Sequence, residues 1–258
     1  MRNRFVSCAV LLGIVAAFSF SAAAQQAAPS KQASGPAPAR DLSGIWVPPG
    51  ISPIGFSDKH PKFTALGEKR FRLNKPGRGI TEVPVALTND PLDSCDPAGF
   101  PRNEIFEFRV LEVATAPDRM LFLYQYQRSW RTVFTDGRDF PKDLDWGFYG
   151  YSIGKWVDDY TFVVQTKGLD DRTWIDNSGL PHSTDMQVEE RFHRVDHDTL
   201  EFTLTVTDPT IYTQSWTILD KMKLRLDNSL VIPEMICVPT EMEQYKKLIA
   251  NPAAGESK

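Results

Sequence analysis

The chain is poor in the residues that carry most metal and nucleophilic chemistry, with four histidines and three cysteines among its 258 residues. It has no phosphate-binding Walker loop, no dinucleotide fingerprint and no HExxH pair. Cofactor-dependent phosphoryl or hydride transfer and zincin chemistry therefore lack their signatures, and no cofactor is implied. No cationic excess is present either. The 29 Lys and Arg are outnumbered by 33 Asp and Glu, for a net charge of −4 and no basic stripe. Nucleic acid is a poor partner for such a surface. Beyond the N-terminus no apolar run is long enough to span a bilayer, so no stable membrane span is expected in the mature chain.

The N-terminus itself is different. Arg2 and Arg4 precede an almost wholly apolar run, Phe5 to Phe20, and Ser21-Ala22-Ala23-Ala24 supplies small residues for a peptidase. This is the pattern of a signal peptide over residues 1–24, with cleavage after Ala24 and a periplasmic or secreted product. Cys8 would leave with it. Residues 25–40 are rich in Ala, Pro, Gln and Ser without apolar periodicity and read as a flexible linker. The folded domain is expected over 41–258. Its two cysteines, Cys95 and Cys237, would enter an oxidising compartment, where a pair usually bridges; two buried free thiols are the alternative.

Period-two alternation dominates what remains, and it predicts half-buried strands. Leu200 to Thr207 and Lys221 to Leu226 alternate cleanly. Phe106, Phe108 and Val110 alternate with charged neighbours. Met120 to Phe134 reads as one long strand with Phe122, Tyr124, Tyr126, Trp130 and Phe134 on one face. Further strands are expected at 42–47, 150–157, 160–167, 186–195, 211–219 and 230–236. Helices are few: one over Thr64 to Leu73, and one at the C-terminus opened by a capping box, Thr240-Glu241-Met242-Glu243. About ten strands with one apolar face fit a sandwich or, better, an all-β antiparallel barrel, since closure removes edge strands and can enclose a small ligand.

Candidate chemistry centres on Glu190. In Met186 to His193 the even positions are apolar, so parity turns Glu190 inward with Met186, Val188 and Phe192. An inward carboxylate needs a partner or a proton. It could serve as an acid/base group or ligand anchor, or it could form a structural ion pair. Arg128 and Arg131 are possible partners on opposite faces of one strand, so only one can be internal. The loop 167–185 is long for a strand connection and carries Asp171, Trp174 and His182. His182, oriented by Asp171 or Asp185, could reach Glu190 over a barrel mouth. Tyr124, Tyr126, Trp130, Trp146, Tyr149, Trp174 and Trp216 are the aromatic residues that could line a pocket. The His193-Asp196-His197-Asp198 group falls on a strand end and turn, where its imidazoles need not converge, so no metal is assigned.

Two resemblances follow from particular strings. Asp41-Leu42-Ser43-Gly44-Ile45-Trp46 resembles the Gly-x-Trp opening strand of lipocalin-like (calycin-like) barrels, in which the Trp plugs the base. Cys95 to Arg102, Phe134 to Arg138, Tyr149 to Trp156, Asp171 to Trp174, Gly179 to Ser183, Glu189 to Phe192, Asp208-Pro209, Tyr212-Thr213 and Trp216-Thr217 follow one another in an order that resembles a family of secreted bacterial proteins of uncharacterised function. The similarity spans roughly residues 41–245. It implies export, a lipocalin-like barrel, and a shared core that includes the His182 loop and Glu190; it names no reaction. Phe134 stands where the pattern has Tyr. The expectation is a barrel that takes a small apolar or aromatic molecule, leaning towards a cofactor-free lyase, isomerase or hydratase. In that reading Glu190 and His182 are the acid/base groups and Arg131 stabilises negative charge. A non-catalytic carrier and a structural envelope protein with a packed barrel are the alternatives.

Overall fold

The computed structural model describes residues 35–48, 50, 55–105, 109–253 and 255. The signal peptide, most of the linker and the Phe106–Phe108 part of the expected early strand lie outside these residues. The last linker residues are tied to the domain, since the Gly35 carbonyl accepts from His197 and Arg40 pairs with Asp159 at 3.1 Å.

Nine strands close into a barrel in sequence order. They are β1 (Gly44–Val47), β2 (Leu111–Ala116), β3 (Arg119–Tyr124), β4 (Trp130–Phe134), β5 (Tyr151–Trp156), β6 (Thr161–Lys167), β7 (Gln187–Arg194), β8 (Thr199–Thr207) and β9 (Trp216–Leu226). β9 pairs back onto β1 through Trp46–Leu226 and Val47–Arg225. One joint departs from the antiparallel expectation: β4 and β5 run parallel, with Val133 opposite Ser152 and Phe134 opposite Ile153. The reason is geometric. In an antiparallel ring neighbours alternate in direction, which an odd ring cannot do all the way round. Nine strands therefore require a parallel pair, and the connection over residues 135–150 supplies the return that such a pair needs.

Three strand expectations change. Met120 to Phe134 is two strands joined by a hairpin, because Gln127 and Arg128 take positive φ (56° and 45°) and Tyr124 N–H reaches the Ser129 carbonyl. The turn resets parity, so Trp130 faces solvent, 62% exposed, while Arg131 is buried. The segments 211–219 and 221–226 merge into β9. Its start waits until Trp216 because Asp208 captures the backbone N–H groups of Thr210 and Ile211 in a turn. A bulge carries β9 onward, where Lys221 (φ 49°) donates its N–H to Thr203 Oγ1. Residues 230–236 form no strand; Met235 makes a single bridge to Tyr126.

The helices are short. α1 (Ala65–Leu73) starts as expected, with Thr64 Oγ1 accepting from Gly67 N–H. α2 (Arg102–Ile105) is one turn. α3 (Pro239–Tyr245) continues through Lys246–Ala250 in a wider turn. The expected Thr240 capping box does not form. Pro239, whose fixed φ suits the first helical position, moves the N-cap to Val238, which has no side-chain cap bond.

The core runs through the barrel, with Phe122, Phe162, Phe192, Phe202 and Trp46 all essentially inaccessible. Phe192 stacks on Phe202 at 4.8 Å and meets Phe122 edge-on at 5.4 Å. Gly154 is required on β5, because a Cβ there would sit 2.8 Å from Phe162 Cε1 and from Val133 Cγ1. A second, smaller cluster of Leu92, Ala98, Tyr126 and Met235 lies by the Cys95–Cys237 disulfide, whose Cα atoms are 5.4 Å apart. Among the described residues no helix is long and apolar enough to cross a membrane.

Candidate functional site

Alternation on β7 is unbroken, and it delivers Glu190 to the barrel interior. Arg131 on β4 meets it there with two parallel bonds of 2.6 Å, Nη1 to Oε2 and Nη2 to Oε1. This is the two-pronged geometry a guanidinium favours. The remaining donors are also used. Nε reaches Tyr124 Oη at 3.2 Å, and Nη1 reaches Thr166 Oγ1 at 3.0 Å and Ser152 Oγ at 3.4 Å. The guanidinium lies over the Phe100 ring at 3.9 Å and near Phe122 at 5.2 Å. β3 to β7 thus each supply one inward polar group. Burial, the largest single influence, would weaken the Arg131 charge, but Glu190, Tyr124 and Glu104 together outweigh it and hold the guanidinium firmly protonated.

A second acid completes the cluster. Glu104, on α2, is fully buried with Oε2 3.6 Å from Arg131 Nη2. Burial, then the charge of Glu190, raise its pKa well above the carboxylate range; Arg131 opposes this without prevailing. One cation cannot hold two buried carboxylates in the charged form. As a carboxylate Glu104 would have no hydrogen-bond donor for either oxygen. Neither oxygen has a hydrogen-bond partner among the described residues, so as the neutral acid it keeps an acceptor oxygen without a donor. Glu104 also lines a narrow cleft among Trp46, Leu111, Phe202, Met222 and Leu224, with Pro48 and Arg109 beside it. The cleft holds about 270 Å³ counting the solvent at its mouth, and its enclosed part has room for about one water.

The other sequence candidates fall elsewhere. His182 bonds to Thr173 and to the Ser183 carbonyl, in the loop after β6; none of its hydrogen bonds involves Glu190. Burial lowers its pKa. Asp171 pairs with Arg70 at 2.9 Å instead of orienting the imidazole. Tyr124 belongs to the charged cluster, but Tyr126 joins the small cluster by the disulfide, and Trp130 and Trp146 (67% exposed) are on the surface. Tyr149 and Trp216 pack on the main core, and Trp174 is buried under Arg102 at 5.4 Å. These aromatic residues therefore do not share one pocket wall. Arg128 is on the surface, 3.7 Å from Glu234. His193 bonds Thr161 and His197 pairs with Asp198; no three metal-binding side chains converge among the described residues.

Glu104 is the residue that sequence reasoning missed. It sits in a single helical turn between Phe100 and Ile105, too short for periodicity to reveal which side chain points inward. One string is deceptive. Gly150-Tyr151-Ser152-Ile153-Gly154 spells GxSxG, yet a nucleophile elbow needs a strand–turn–helix junction. Ser152 is inside β5, bonded to Arg131 and Thr166, and no histidine touches it. No protein-family model matches the chain, and no curated protein matches it.

Proposed function

We propose that this chain is an exported barrel protein that binds a small apolar or aromatic molecule bearing one hydrogen-bond donor, such as a phenol or an alcohol. The observation that carries this reading is the orphan acceptor of Glu104 at the end of an apolar cleft. A ligand O–H or N–H would satisfy it, while Trp46, Phe202 and Leu224 take up the apolar body. Met222 is the unbranched, adaptable side chain in the wall and would yield to widen the cleft. The leader-like N-terminus and the Cys95–Cys237 disulfide support a periplasmic or secreted location.

A second reading has its own observation. Glu104, its pKa raised by burial and by the Glu190 charge, lies with Glu190 beside a fixed cation, the kind of arrangement that sets acid and base apart in carboxyl pairs. It favours a cofactor-free isomerase, lyase or hydratase working at the same cleft. Calorimetric titration of the purified mature chain with phenol and with toluene tests the binding reading. Phenol should bind roughly tenfold more tightly than toluene, the worth of one satisfied buried acceptor. Glu104→Leu should abolish that preference. Equal binding of the two probes by the unaltered protein, or binding of neither, would sink the proposal.

A further inference from the structure

The His182 loop holds a second constellation, separate from the barrel interior. His182 Nδ1 lies 3.1 Å from the Ser183 carbonyl, and Nε2 lies 2.9 Å from Thr173 Oγ1. The carbonyl can only accept, so Nδ1 carries the imidazole proton and Nε2 presents its lone pair. Thr173 has one hydroxyl proton and two acceptors in reach, Nε2 at 2.9 Å and the Asp170 carbonyl at 3.2 Å. Were the proton on the Asp170 side, two lone pairs would face each other across the shorter contact. The hydroxyl therefore donates to the imidazole. This is the relation of a nucleophile to its base, with the base oriented by a third group.

The pair is firmly placed and buried, with Thr173 3% and His182 1% exposed. Arg70 Nη1 donates to the His182 carbonyl at 2.8 Å, anchoring the loop to α1. Gly99 (φ 74°) packs so closely on the Thr173 side chain that any Cβ there would displace it. Both Thr173 and His182 line a surface pocket of about 300 Å³. Its walls include Leu73, Trp174 and Pro181 for an apolar group, beside Arg70 and Arg172, which are paired with Asp171 at 2.9 Å and Asp170 at 2.6 Å.

We propose that Thr173 and His182 form an acyl-transfer site acting on small carboxylic esters. Thr173 Oγ1 attacks the ester carbonyl carbon as its proton passes to His182 Nε2. The tetrahedral adduct collapses by breaking the bond to the alkoxy group, which leaves with the proton from Nε2. Water then attacks the acyl-threonine, gives its proton to Nε2, and Thr173 departs as the restored hydroxyl.

p-Nitrophenyl acetate is the probe, read by nitrophenolate release and by mass spectrometry of the peptide that contains Thr173. The unaltered protein should release nitrophenolate faster than buffer and carry an acetyl group on Thr173. Thr173→Val and His182→Gln should each lower the rate by at least about 100-fold. Thr173→Ser keeps the nucleophile and should retain nitrophenolate release, and comparison of urea midpoints separates loss of chemistry from loss of fold. A rate equal to buffer, acetylation confined to other residues, or a folded Thr173→Val protein that turns over as fast as the parent would overturn the proposal.

Discussion

At the scale of single residues, the barrel interior is governed by a charge count. One buried guanidinium faces two buried carboxyl groups, and the outcome is one ion pair and one neutral acid. Removing the cation alone should be severe. Arg131→Met strands Glu190 in a low-dielectric core, at a cost of roughly 3–5 kcal/mol. The double variant Arg131→Met with Glu190→Met should recover most of that loss in urea unfolding. A double variant as unstable as the single one would show that the pair fixes the barrel in some way beyond charge. Glu104 predicts a pH effect of definite sign. Its folded pKa is raised, so the stability it contributes is complete below the normal carboxylate range and drains away as pH rises through the folded value. Glu104→Gln keeps the side-chain shape and does not titrate. Its stability relative to the parent should therefore grow between about pH 5 and about pH 8. An unchanged difference across that range would mean that Glu104 is already ionised in the fold.

At the scale of elements, alternation was a reliable guide wherever a strand was long and half-buried. β7 and β8 lie where their patterns placed them, and Glu190 faces inward for the reason that parity gave. It failed where non-glycine residues adopt left-handed backbone. Gln127 and Arg128 break one apparent strand into a hairpin without any Gly, Asn or Asp to mark the turn, and that single event moved Trp130 from the interior to the surface. Glu104 was illegible for another reason, since its orientation depends on tertiary packing of one helical turn. The strained turn makes a prediction. Arg128 has an exposed side chain and φ of 45°, a conformation that costs a residue with a Cβ roughly 1 kcal/mol. Arg128→Gly should leave the fold intact and raise the unfolding free energy measured in urea modestly, by up to about 1 kcal/mol once the glycine's extra unfolded-state entropy is offset. A clear loss of stability would show that the distant Glu234 contact matters more than the backbone.

At the scale of the whole molecule, two devices hold the ring together. Sheet hydrogen bonds run round it, and the Cys95–Cys237 bond closes a loop with a sequence separation of 142 residues. Reducing that bond should lower stability by about 4–5 kcal/mol on the chain-entropy view. Urea unfolding with and without reductant measures it, and an unshifted midpoint would mean that the denatured chain is already confined. The ladders are unequal. β6, β7 and β8 face one another over long stretches, whereas β4–β5 and β1–β9 each meet through only two facing pairs. The barrel is thus two half-shells, β1–β4 and β5–β9, joined along two narrow seams. The disulfide connects the segment before β2 to the segment after β9 and lies by Gln127 in the β3–β4 turn, so the β4–β5 seam has no covalent tie across it. Native-state hydrogen exchange should release the β4–β5 amides well before those of β7. That free seam runs past Arg131 and Ser152, so the strand parity that forces a parallel joint also sets a door beside the buried charges. Breathing there would admit water to Glu190 while the rest of the wall stays shut.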